Sequence, residues 1–115
     1  MAKVNREEQR MTRELNKRLQ TIGKKIKKDY RAEKVILFGS YAKGNATADS
    51  DVDLLVVAPT KERFFERMAS VRRLIRDLRD GLSVSPIVLT PGELEKRREA
   101  GDPFVREILQ TGVSL

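Results

Sequence analysis

The 115-residue chain has no cysteine, no histidine and no tryptophan, and aromatic residues make up only 5% of it. Without cysteine there are no disulfides, thiol nucleophiles or thiolate metal sites. Without histidine the commonest general base is gone, and with it the usual zinc ligand sets. Chemistry here must come from carboxylates, hydroxyls, Lys, Arg, backbone amides and hard cations. Long apolar runs are missing too: nothing approaches the roughly 18 residues of a membrane span, and the opening MAKVNREEQR has no apolar signal core. The chain reads as cytoplasmic. Its length predicts one domain, 1–115, able to bury about two thirds of its unfolded surface without covalent staples.

What is abundant is positive charge, but only locally. Residues 1–34 hold 12 of the 24 Lys and Arg and 5 of the 17 acids, so the whole excess of +7 sits there and the remainder is balanced. GKKIKKDYR is the densest part, with Lys24, Lys25, Lys27 and Lys28 around Ile26. Base-stacking aromatics are nearly absent there, so a solvated helix face is expected, and any nucleic-acid binding should be weak and non-specific.

Periodicity predicts an α/β domain. From Asn5 to about Asp29, Met11, Leu15, Leu19, Ile22 and Ile26 recur at helical spacing, which marks 1–29 as a basic N-terminal helix ahead of a 30–112 core. KVILF and VDLLVV read as buried strands, stopped by Gly39 and Pro59. A second long helix follows Thr60, with Phe64, Phe65, Met68, Val71, Leu74, Ile75 and Leu78 as its stripe and Gly81 at its end. SPIVLT supplies a third strand, whose Pro86 belongs at a strand start or an edge. Thr90, Pro91 and Glu93 spell a capping box, and Asp102 and Pro103 start a last helix that Gly112 ends. The expected order is α-β-β-α-β-α-α, a small mixed β-sheet flanked by helices.

The run FGSYAKGNATADSDVDLLVV carries the chemistry. Asp51 and Asp53 open a strand two residues apart, so their carboxylates share one face at roughly 6.6–6.8 Å along the chain. Asp also favours turns, and DVD alone fits a solvated strand entrance. Two like charges so close favour a divalent cation between them, and oxygen donors select Mg²⁺ or Mn²⁺. Gly39-Ser40 alone fits an ordinary strand-end turn, but beside the aspartate pair the glycine would let the backbone approach an anion closely, and the following amides with the Ser40 hydroxyl would make a phosphate nest.

Gly39-Ser40, ten residues, then Asp51-Val52-Asp53 resembles the minimal nucleotidyltransferases of the DNA polymerase β superfamily. LFGSYAKG is similar to the family's phosphate loop, SDVDLLVV to its metal strand, and PIVLTPGEL to its third strand and helix; together they cover about residues 30 to 112. The resemblance implies the nucleotidyltransferase (polymerase β palm-like) fold, two Mg²⁺ ions on Asp51 and Asp53, and ATP or another triphosphate held by Gly39 and Ser40. It also implies nucleotide-binding roles for Lys43 and Ser50. Members commonly occur as antitoxins paired with a helical HEPN toxin, which some adenylylate.

One departure matters. Ser85 stands where many members carry a third carboxylate that ligates metal and helps deprotonate the acceptor, and no acid lies between Asp80 and Glu93. Losing a general base costs on the order of 10²–10⁴ in rate. Two readings follow: a transferase moving AMP to a macromolecular hydroxyl, or a non-catalytic module that neutralises a partner by contact.

Overall fold

The two apolar, β-branched runs form the centre of the sheet. The computed structural model describes residues 6–115, with side chains from residue 12 onward. In it β1 (Lys34–Phe38) pairs antiparallel with β2 (Val52–Val57), and β3 (Val84–Leu89) runs parallel to β2. A two-residue β4 (Val113–Ser114) pairs antiparallel with β1, giving the order β3-β2-β1-β4. The helices are α1 (Arg6–Asp29), α2 (Ser40–Lys43), α3 (Phe64–Leu74), α4 (Pro91–Glu99) and α5 (Pro103–Thr111), with one 3-10 turn, Arg76–Leu78, after α3. The expected succession is present, with α2 and β4 added; both are too short to show a period.

Both faces of β2 are buried, which explains its uninterrupted apolar run. Val52, Leu54 and Val56 face α1 and α3, packing with Leu19, Ile22, Ile26, Val71 and Ile75. Leu55 and Val57 face the opposite side, against Ile108 of α5 and Leu94 of α4. The α1 stripe is therefore core, and each fully buried Leu or Ile contributes roughly 1.5–3 kcal/mol relative to exposure. The predicted start at Asn5 and the Met11 side chain lie outside the described residues. The chain end folds back on α1: Leu115 is buried against Gly23, where a Cβ would come within 2.7 Å of the Leu115 Cβ.

The stripe expected on the second long helix is corrected over its first turns. Helix α3 starts at Phe64, ends at Leu74, and leaves Phe64, Phe65 and Met68 exposed at 53%, 71% and 38%. Val71 and Ile75 are buried as the spacing predicts, and Arg67 is buried with them. Arg67 tolerates burial because its donors are used: Nη1 donates to Glu93 Oε1 at 2.6 Å and the Val88 carbonyl at 3.2 Å, and Nε donates to the Glu62 carbonyl at 3.0 Å. Charge-assisted bonds of this kind replace the lost hydration.

The caps form as the sequence predicts. The Thr90 hydroxyl accepts from Glu93 N at 3.2 Å while Thr90 N donates to Glu93 Oε1 at 2.7 Å, and Asp102 Oδ1 accepts from Phe104 N at 2.9 Å. Pro86 lies on edge strand β3. Ser83 and Leu89 carbonyls bond toward β2, so the Pro86 backbone, in alternate phase, faces the free edge where no N–H is needed.

Candidate active site

The site lies where β2 and β3 begin and β1 ends. β1 delivers the chain into Gly39 at φ 76° and ψ −153°, a conformation open to glycine and strained for other residues. A Cβ on Gly39 would collide with the Asp53 carboxylate. The glycine is thus required twice, by its backbone and by the carboxylate seated against it. Phe38 pairs in register with Asp53, and Asp53 pairs in register with Ser85 on β3. Residues in register on neighbouring strands share a face, so Ser85 stands beside Asp53 despite the adjacent proline.

Electrostatically the site is unfinished. Burial, and then the nearby Asp51 charge, push the Asp53 carboxyl above the usual carboxylate range. Among the described residues neither Asp51 nor Asp53 has a hydrogen-bonding or ion-pairing side-chain partner, and no group of three or more His, Cys, Asp or Glu is gathered to hold a metal. The donor set is therefore two carboxylates with Ser85 as their neighbour. A half-buried and an exposed carboxylate, both without a side-chain partner and beside a glycine cradle, fit a hard divalent cation.

The remaining expected residues gather around the same loop. Ser40 opens α2 and is half-buried. The first amides of α2 have no intrahelical acceptor, as at every helix start. Lys43, at the end of α2, places Nζ 3.6 Å from Glu107 Oε1, with both side chains more than half exposed. A pocket of about 80 Å³ opens there, lined by Phe38, Gly39, Lys43, Phe104, Glu107 and Ile108. The Ser50 hydroxyl accepts from Thr47 N at 2.8 Å and so braces the turn that presents Asp51. Glu107 and Phe104 border the loop without having been singled out in the sequence; their only signal is a place on the last amphipathic helix.

Known proteins resemble this chain. A family model described as the nucleotidyltransferase domain matches residues 14–113, reaching back into α1. The chain is 43% identical over 63 residues to "Putative protein adenylyltransferase MJ1305" of Methanocaldococcus jannaschii, a match covering 52% of this chain and 43% of that protein. It is 32% identical over 99 residues to "Putative protein adenylyltransferase MJ0141" of the same organism, covering 80% of this chain and 93% of that one. The chain thus spans less than half the length of the first relative and nearly all of the second. A crystal structure titled as a putative nucleotidyltransferase from Sulfolobus solfataricus is 32% identical, with a TM-score of 0.53 and 70% of each chain covered. No helix among the described residues is long and apolar enough to cross a membrane. With a family model spanning nearly its whole length and a glycine loop seated against Asp53, the chain belongs to the nucleotidyltransferase domain family.

Proposed function

We propose that this protein transfers AMP from ATP to a hydroxyl of a partner protein, Asp51 and Asp53 being its metal ligands and Gly39 and Ser40 its phosphate binders. The observation that supports the reading is the seating of Gly39 against the Asp53 carboxylate, which brings the glycine loop next to one of the two aspartates. The names of the relatives support a protein acceptor.

Asp51 and Asp53 would hold two Mg²⁺ ions, or Mn²⁺, which when bound supply charge stabilisation at the transferred phosphoryl group and activation of the acceptor hydroxyl. The chain's own residues do the positioning. Gly39 and Ser40 offer amides and a hydroxyl to the β- and γ-phosphates. Lys43 moves from its loose contact with Glu107 to the triphosphate, and Ser50 keeps the Asp51 turn in place. The acceptor oxygen then attacks the α-phosphorus in line, and pyrophosphate leaves. Ser85 offers no negative charge to the acceptor proton, so the rate is low unless the partner contributes a base. A HEPN-type toxin is the partner we assign, with this chain as its antitoxin.

Ser85 in register with Asp53 also favours a second reading, an inactive module that neutralises its partner by contact. Incubation with labelled ATP, Mg²⁺ and the protein encoded beside this chain separates the two. Label on the partner that disappears in Asp53→Asn establishes the transferase. Its absence in wild type, Asp53→Asn and Ser85→Asp alike leaves the binding module.

A further inference from the structure

The free edge of the sheet carries an apolar groove. Phe64, Phe65 and Met68 of α3 form one wall and Phe104 of α5, itself 43% exposed, the other; Pro86 and Ile87 of β3 lie between, around a volume of about 470 Å³. Exposed aromatic and methionine side chains gathered from separate elements mark a protein-binding surface more than a random scatter does.

The groove selects its occupant in three ways. Strand addition is disfavoured, because Pro86 has no N–H on the free edge and the Val88 carbonyl is already bonded to Arg67. An occupant therefore engages through side chains, as the apolar face of a helix does. Arg97 is the charged residue lining the groove, and its nearest acid, Asp102 Oδ2, is a loose 3.9 Å away. A carboxylate next to the occupant's apolar face meets that guanidinium. Finally, the groove runs into the active site. Phe104 packs edge-on against Phe38 with ring centres 5.6 Å apart, and Phe38 precedes Gly39 and pairs with Asp53. Ile87 shares a strand face with Ser85, roughly 6.6 Å along β3, and Ser85 pairs with Asp53.

We propose that this groove docks the acceptor protein through an amphipathic helix bearing a flanking carboxylate, and so brings the acceptor hydroxyl to the Asp53–Ser85 end of the sheet. This rests on the transferase reading above. Phe65 is the residue to test, because it is the most exposed of the groove and contributes nothing to the core.

The experiment uses the full chain, the protein encoded beside it as probe, and the variants Phe65→Glu, Met68→Glu and Arg97→Glu. Sedimentation of the mixture reads docking, label transfer from ATP reads chemistry, and Mg²⁺-dependent ATP binding to the chain alone reports an intact nucleotide site. We expect complex formation and partner labelling to fall at least tenfold in Phe65→Glu and Met68→Glu, and severalfold in Arg97→Glu, with ATP binding unchanged. A complex that forms in wild type without label, and is lost in Phe65→Glu, keeps the docking surface while removing the transferase reading. The proposal is overturned by a complex and labelling that survive Phe65→Glu, or by no complex in wild type. It is also overturned if wild type alone is a dimer that Phe65→Glu makes monomeric, since the groove is then filled by a second copy.

Discussion

Glu93 and Asp53 are carboxylates at opposite ends of the same pair of parallel strands, and their surroundings push them in opposite directions. Glu93 accepts from the buried Arg67 guanidinium and from the Thr90 amide, and the Arg67 bond foremost holds its carboxyl below the usual range. Asp53 is desolvated beside Asp51 with no such partner, and its carboxyl is held above that range. Both ends use charge near the core, but only one is completed by the chain itself. The completed end is structure: it ties α3, β3 and α4 together. The incomplete end is where we propose the site, because an uncompensated pair of carboxylates would lower its free energy by taking a cation.

The largest expected effect breaks the incomplete end. Asp53→Asn or Asp51→Asn removes several kcal/mol of charge stabilisation in the transition state and lowers transferase rate by roughly 10³-fold, read by label transfer to the partner. The fold survives, since the Asp53 side chain makes no hydrogen bond or ion pair within it.

Breaking the completed end does the reverse. Arg67→Met leaves the Val88 carbonyl and Glu93 without their donor and is expected to destabilise the protein by about 3 kcal/mol, at the lower end for a buried pair because Glu93 is partly exposed. Urea unfolding measures it, and ATP affinity of the folded fraction should not change. A variant that loses affinity while keeping stability would contradict the division between the two ends.

Gly39→Ala acts on both stability and binding. A side chain at φ 76° costs on the order of 1–3 kcal/mol, and its Cβ displaces the Asp53 carboxylate. Reduced thermal stability together with loss of Mg²⁺-dependent ATP binding is expected. Loss of either alone would separate the loop from the carboxylate.

Smaller effects sharpen the contrast through pH. Because the folded state raises the Asp53 pKa, its contribution to stability is present in full below the unfolded carboxylate value and is lost as pH rises through the folded one. Glu93 behaves oppositely: its contribution is present above the unfolded value and fades as pH falls through its lowered one. Without metal, Asp53→Asn should therefore melt higher than wild type at pH 7, and the gap should close toward pH 4. Added Mg²⁺ should raise the melting temperature of wild type and not of the variant. Lys43→Ala is the mildest change, costing less than about 1 kcal/mol of stability for its exposed contact with Glu107 and weakening ATP binding modestly.

Local signals made much of this legible in the sequence. Strand limits at Lys34–Phe38 and Val52–Val57 follow from β-branched runs bounded by Gly39 and Pro59, and the Thr90 and Asp102 caps follow from short-range chemistry. Asp51 and Asp53 share a face because strands have period two. Contacts between distant residues were not legible. The Gly39–Asp53 seating depends on β1–β2 register, and the burial of Arg67 depends on a β3 carbonyl and an α4 side chain twenty or more residues away. Hydrophobic spacing assigned Phe64, Phe65 and Met68 to the core because apolar character does not reveal which side of a helix meets the sheet. The structure turned those three outward, kept Val71 and Ile75 of the same stripe in the core, and buried Arg67 beside them.

In the proposed site Asp51 and Asp53 bind metal jointly with the triphosphate held by Gly39 and Ser40. Calorimetric titration of ATP into wild type and into Asp51→Asn/Asp53→Asn, each with Mg²⁺ and with EDTA, tests it most directly. Wild type is expected to bind at least tenfold more tightly with Mg²⁺ than with EDTA, and the double variant to show no such difference. Equal affinity in all four titrations would contradict it.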